Sequence, residues 1–318
     1  MSKRFTLFIV FISVGIVFLG GCYIGYKSVS KKQQIFSVLV QNPLSRYLIL
    51  QYTSRATSEF NKDFKAVDCP ADHLAIASFG QSNTANNVVR NGGMKAAFDD
   101  GKTFMWSWVT GKCYPYSEPL VGTNGEDGNI LTDTVRQVRK DNYDGNLILI
   151  GFGKGGSSVF DWSHVWLSVR LDNVLLKLKE SKINPLVFFW HQGEVDAVPE
   201  VYAPWKTNAY GNLRGSVTHF YSAALSIIVE KIRKYFPTSA IGVALASVCG
   251  NEGNDLIIKG QKRVADKYDN VRISSNTDRL GSEFRDGKGC HFNELGAARI
   301  GEDYGGVIKK EYLAKSPK

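Results

Sequence analysis

The chain has 318 residues, of which 43% are hydrophobic and 22% charged, a balance that allows a sizeable buried core and excludes a chain that is disordered throughout. Its formal charge is +9, but Lys3, Arg4, Lys27, Lys31 and Lys32 contribute five of those charges before residue 35 with no acid among them. Lys309, Lys310, Lys315 and Lys318 against Glu311 contribute three more at the other end. One is left for the residues between, which excludes a nucleic-acid footprint read from charge alone.

Residues 5–26, FTLFIVFISVGIVFLGGCYIGY, carry no charge, follow Lys3 and Arg4, and are long enough to cross a bilayer as one helix. They predict export and a membrane partner for residues 1–26, with the following domain outside the cytoplasm. Leu19-Gly20-Gly21-Cys22 resembles a lipobox, so anchoring as a lipoprotein through Cys22 is the alternative. The apolar run continues through Tyr23–Tyr26 past that cleavage point, which favours an uncleaved single-pass anchor. Residues 27–68 mix basic, polar and apolar residues without a period and predict a stalk, with residues 69–318 forming the functional domain.

From residue 74 a regular alternation begins. LAIASF (74–79), NLILIGF (146–152), PLVFFW (185–190), AIGVALAS (240–247) and VRISS (271–275) predict strands buried on both faces. Helices are predicted over 163–181, 217–236, 255–268 and 293–313, where apolar residues recur at three and four, as in Val174, Leu175 and Leu178. Residues 99–130, rich in Gly, Trp and Tyr, predict a long loop. Alternating strand and helix implies a three-layer α/β/α sandwich around a parallel sheet.

Apart from Cys22, the cysteines are Cys69, Cys113, Cys249 and Cys290. In an oxidising compartment two disulfides follow, with three connectivities open. Cys69 with Cys113 and Cys249 with Cys290 is the expected pairing, against the alternative of four unpaired core residues.

In open parallel sheets, ligands bind at the carboxyl ends of the strands. Those ends deliver Gly80-Gln81-Ser82-Asn83, Gly153-Lys154-Gly155-Gly156-Ser157-Ser158 and His191-Gln192-Gly193-Glu194-Val195-Asp196. The last loop before the final helix delivers Asp286 and His291. The set meets the needs of acyl transfer. Ser82 is the candidate nucleophile, His291 its base, and Asp286 the group that orients the imidazole. The N–H of Ser82, an N–H of the Gly155-Gly156 turn and the amide of Gln192 are the candidate oxyanion donors. Gln81, Trp162, His191 and Glu194 stand on the substrate side, His191 as a wall residue. His73, His164 and His219 read as structural. Each piece alone is an ordinary turn or cap; their joint occurrence in chain order, each after its own strand, carries the reading.

GQSN after a strand, KGGSS followed by Trp162, WHQGEVD and a late acid followed by HFN together resemble the blocks of SGNH hydrolases, in particular the sialate O-acetylesterase-like branch that includes acetylxylan esterases. The resemblance spans residues 72–308. It implies a flavodoxin-like fold and deacetylation of carbohydrate without metal or cofactor, with Ser82, His291, the glycine turn and Gln192 in the roles just given. One position departs from the pattern. The acid usually stands three residues before the histidine, where this chain has Lys288; Asp286 stands five before, in a loop made pliable by Gly287 and Gly289. A Ser-His dyad is the alternative to a triad. At the level of function, the same residues could transfer the acyl group to a sugar hydroxyl. A different class would be a non-catalytic glycan-binding module, using Trp106, Trp108, Tyr114, Tyr116 and Trp162 as stacking faces.

Overall fold

The computed structural model describes residues 65–93, 95–198, 214–250 and 252–315. The predicted anchor and nearly all of the predicted stalk lie outside the described residues. Among the described residues, no helix is long and apolar enough to cross a membrane.

Seven strands form one sheet: β1 (Leu74–Gly80), β2 (Thr103–Trp106), β3 (Cys113–Pro115), β4 (Leu147–Gly151), β5 (Pro185–His191), β6 (Ala240–Leu245) and β7 (Val271–Asn276). Their spatial order is β3-β2-β4-β1-β5-β6-β7. All neighbouring pairs are parallel except β2 with β3. The five strands predicted from sequence are all present, and their order among themselves is 2-1-3-4-5, the flavodoxin-like arrangement. The chain leaves β1 on one side for β4 and returns on the other for β5. That reversal puts the topological switch point at the carboxyl end of β1.

The helices are α1 (Ile130–Lys140), α2 (Val159–His164), α3 (Trp166–Glu180), α4 (Glu194–Ala197), α5 (Arg214–Tyr235), α6 (Asp255–Lys267) and α7 (Glu294–Lys315). Alternate residues of each strand feed opposite cores, as the two-residue period of a strand requires. Ala75, Ala77 and Phe79 of β1 pack with Leu171 and Val174 of α3, Ile228 and Ile232 of α5, and Ile257 of α6. Leu74 and Ile76 face the other way, onto Val135 of α1 and Ile300 and Tyr304 of α7. A sheet covered on both faces buries most of its strand residues, which is why these strands read as largely apolar runs, with Ser78 of β1 and Ser274 and Ser275 of β7 as buried exceptions.

The expected long loop over 99–130 is not one. It contains β2 and β3, and α1 starts at its end. β2 is only four residues and β3 three, too short to show a period, and β3 is an edge strand that ends in Pro115. α1 was more legible: the Asn129 side chain caps it by accepting from the Leu131 N–H, Leu131, Val135 and Val138 recur at four and three, and Arg139 and Lys140 close it. Both expected disulfides are present, Cys69–Cys113 and Cys249–Cys290. The first ties the segment before β1 to β3; the second joins the turn after β6 to the loop before α7.

Candidate active site

β1 ends at Gly80, whose φ of 135° lies outside the range of other residues and whose added Cβ would stand 2.2 Å from the His191 carbonyl oxygen. Only glycine lets β1 leave the sheet this close to β5. The chain then turns through Gln81 into a single 3-10 turn, Ser82–Thr84, held by the Thr84 hydroxyl on the Gln81 carbonyl and the Asn87 amide on the Ser82 carbonyl. Ser82 is 9% exposed. Being first in the turn, its N–H has no partner within it.

Asn83 is a hub that sequence reasoning passed over. Its amide donates to Glu194 Oε1 at 2.7 Å and to the Cys290 carbonyl at 3.3 Å, so it ties the serine turn to the β5 end and to the histidine loop. Glu194 is buried, which alone would raise its pKa, but hydrogen bonds from His191 and Asn83 hold its carboxyl below the usual range. His191 is fully buried, with Nε2 3.5 Å from Glu194 and Nδ1 3.4 Å from the Tyr304 hydroxyl. It fixes Glu194 from behind.

The loop before α7 folds back as the five-residue spacing demands. Asp286 Oδ1 accepts from the N–H groups of Cys290 (3.0 Å) and His291 (3.3 Å), and Oδ2 lies 3.3 Å from His291 Nδ1. Gly287 and Gly289 let the backbone close around Asp286, whose N–H donates to the His291 carbonyl at 2.7 Å. Arg285, also missed from sequence, is buried over the Phe292 ring and donates to the carbonyls of Thr277, Leu280 and Cys290. With Nδ1 turned to Asp286, Nε2 is the ring nitrogen of His291 left for another partner.

Ser82 and His291 line one cavity of about 370 Å³, together with Gln81, Asn124, the Gly155-Gly156 turn, Glu194 and the Cys249–Cys290 bridge. Three expected site residues lie elsewhere. Trp162 is fully buried, its Nε1 donating to the Ser157 hydroxyl and its ring edge-on to Phe79 and Trp190. His191 is walled off as described. Gln192 is also fully buried: its amide nitrogen faces Asp196 Oδ2 at 2.6 Å, the Ser157 carbonyl at 3.2 Å and Gln81 Oε1 at 3.3 Å. Its carbonyl accepts from the Tyr221 hydroxyl at 3.0 Å. The Gly155 N–H donates to Asn124 Oδ1 at 2.7 Å.

Of the five stacking faces expected for a glycan-binding module, Trp106, Trp108, Tyr116 and Trp162 are each at most 2% exposed, and only Tyr114 is half-buried. Among the described residues, no group of three or more His, Cys, Asp or Glu is placed to hold a metal ion.

No family model and no curated protein matches the sequence. Solved structures do. A family 3 carbohydrate esterase from Clostridium thermocellum is 14% identical, with a TM-score of 0.45 over 77% of this chain and 100% of that one. A carbohydrate acetylesterase from Xanthomonas citri is 13% identical, with a TM-score of 0.47 over 77% and 57%. A protein from Arabidopsis thaliana is 16% identical, with a TM-score of 0.58 over 76% of this chain and 99% of that one. The chain thus shares the α/β fold of the Arabidopsis protein across nearly all of that protein's length.

Proposed function

We propose that this chain is a serine esterase of the SGNH hydrolase type that removes short acyl groups, chiefly acetyl, from carbohydrate. The observation that carries the reading is the Asp286–His291 contact at the mouth of a cavity that Ser82 also lines, at the switch point of the sheet. In the proposed reaction, Ser82 Oγ attacks the ester carbonyl carbon and its proton passes to His291 Nε2. Asp286 holds the imidazole in the tautomer that leaves Nε2 free and stabilises the imidazolium that forms. The carbonyl electron pair moves onto oxygen and returns as the sugar alkoxide leaves, taking the proton from His291. Water then repeats the cycle on the acyl-serine, with His291 as base.

The carboxamides of Gln81, Asn87 and Asn124 around the cavity suit a hydroxyl-rich substrate. Residues 1–26 are proposed as a membrane anchor, with the stalk carrying the domain outside the cytoplasm; two disulfides fit that compartment. The full-length protein in detergent is expected to hydrolyse p-nitrophenyl acetate and release acetate from acetylated glycans. It should also be labelled on Ser82 by a fluorophosphonate. Ser82→Ala should lose all three; retained hydrolysis in that variant would refute the assignment.

A further inference from the structure

Gln81 precedes Ser82 and its side-chain amide is oriented by what surrounds it. Its Oε1 accepts from the Val195 N–H at 3.1 Å, from Gln192 Nε2 at 3.3 Å and, more weakly, from the Gly193 N–H at 3.5 Å. Three donors converging on one end settle which end is oxygen, because a nitrogen there would face only other donors. The amide nitrogen therefore points the opposite way. Among the described residues it has no protein acceptor, although Gln81 is 1% exposed, and Gln81 lines the cavity shared by Ser82 and His291. A donor whose other end is fixed inside the protein, and which belongs to a residue lining the cavity beside the nucleophile, is what an oxyanion site requires.

Gln192 has the opposite character. Both ends of its amide are engaged inside the protein, the nitrogen chiefly by Asp196 and the carbonyl by Tyr221. To donate into the cavity it would have to break a 2.6 Å contact with a buried carboxylate. Where it stands, it presses one of its hydrogens toward Gln81 Oε1.

We infer that Gln81 supplies the side-chain donor to the oxyanion formed at Ser82, and that Gln192 acts through it as a positioning residue. The inference rests on the reading of Ser82 as nucleophile. As Ser82 Oγ bonds to the carbonyl carbon, the electron pair leaving the C=O double bond settles on the oxygen, and a Gln81 Nε2–H donates to it. The interaction strengthens as charge develops, so its loss falls on kcat rather than on substrate affinity.

The test uses the full-length protein, p-nitrophenyl acetate and a fluorophosphonate. Gln81→Ala is expected to lower kcat by about 10²- to 10³-fold, with KM within about threefold of wild type. Gln81→Glu keeps an acceptor for the Val195 N–H but places an oxygen where the donor stood, and should lose at least as much in kcat at a temperature where the variant is folded. Gln192→Ala should lose less, and the double variant Gln81→Ala, Gln192→Ala no more than Gln81→Ala alone, because Gln192 then has nothing left to position. Near-wild-type kcat in both Gln81 variants, with a hundredfold loss in Gln192→Ala, would overturn the inference and return the donor to Gln192. Failure of the underlying reading looks different: wild-type protein would leave Ser82 unlabelled, and the oxyanion site would fall with it.

Discussion

Asp286 is the residue where the sequence departed from the expected spacing, and the structure shows why five residues serve. Gly287 and Gly289 turn the chain so tightly that Asp286 and His291 exchange backbone and side-chain contacts, and the carboxylate ends beside Nδ1. If that contact orients the base, Asp286→Asn should lower kcat by about 10³- to 10⁴-fold with little change in KM, because an amide favours the wrong imidazole tautomer. Steady-state kinetics on p-nitrophenyl acetate checks this; a loss under tenfold would support the dyad. Single residues were the least legible part of the chain. Chain order identified which loops meet, since strand ends converge in this architecture. It said nothing of which way a side chain points, so Trp162 and Gln192 were read into the site although the core takes one and a buried polar network takes the other.

At the scale of elements, the histidine loop is short of regular structure and is secured by side chains and one covalent bond. Arg285 gathers carbonyls from both ends of the loop, Asn83 bonds the Cys290 carbonyl, and Cys249–Cys290 joins it to the turn after β6. The bridge closes a loop with a sequence separation of 41, worth about 4 kcal/mol on a chain-entropy account. Cys249→Ser together with Cys290→Ser should therefore reduce activity and melting temperature together, whereas loss at Cys69–Cys113, distant in chain from His291, should act on melting temperature alone. Comparing kcat with Tm for the two double variants separates the effects. A second test is at the end of β1: Gly80→Ala should destabilise by several kcal/mol, since the added methyl meets backbone that cannot move aside, and denaturant unfolding reads it directly. Elements of five residues or more that were buried on both faces were readable from their apolar runs. β2 and β3 were not, because strands of four and three residues owe their existence to the neighbours they pair with rather than to a pattern of their own.

At the scale of the whole molecule, one buried group behind the site links pH to global stability. Asp196 is buried beneath the cavity; its Oδ2 accepts from the Val159 N–H and from Gln192, and its Oδ1 has no partner among the described residues. Burial pushes its carboxyl up to about 7, more than those two hydrogen bonds draw it down. In the unfolded chain the group ionises near the ordinary aspartate value of about 3.9. The folded state therefore holds this proton more tightly than the unfolded state does, so the stabilisation it gives is complete below about pH 4 and is lost as pH rises toward 7. Above that the loss is full, roughly a few kcal/mol for a shift of this direction and size. Asp196→Asn mimics the protonated form and keeps an oxygen for Val159 and Gln192. Denaturant unfolding with disulfides intact, at pH 5, 6, 7 and 8, should show wild type losing stability relative to Asp196→Asn over that range, with the gap levelling off at the alkaline end. Parallel curves for the two proteins would mean that Asp196 is ionised throughout and that the fold carries its charge without penalty.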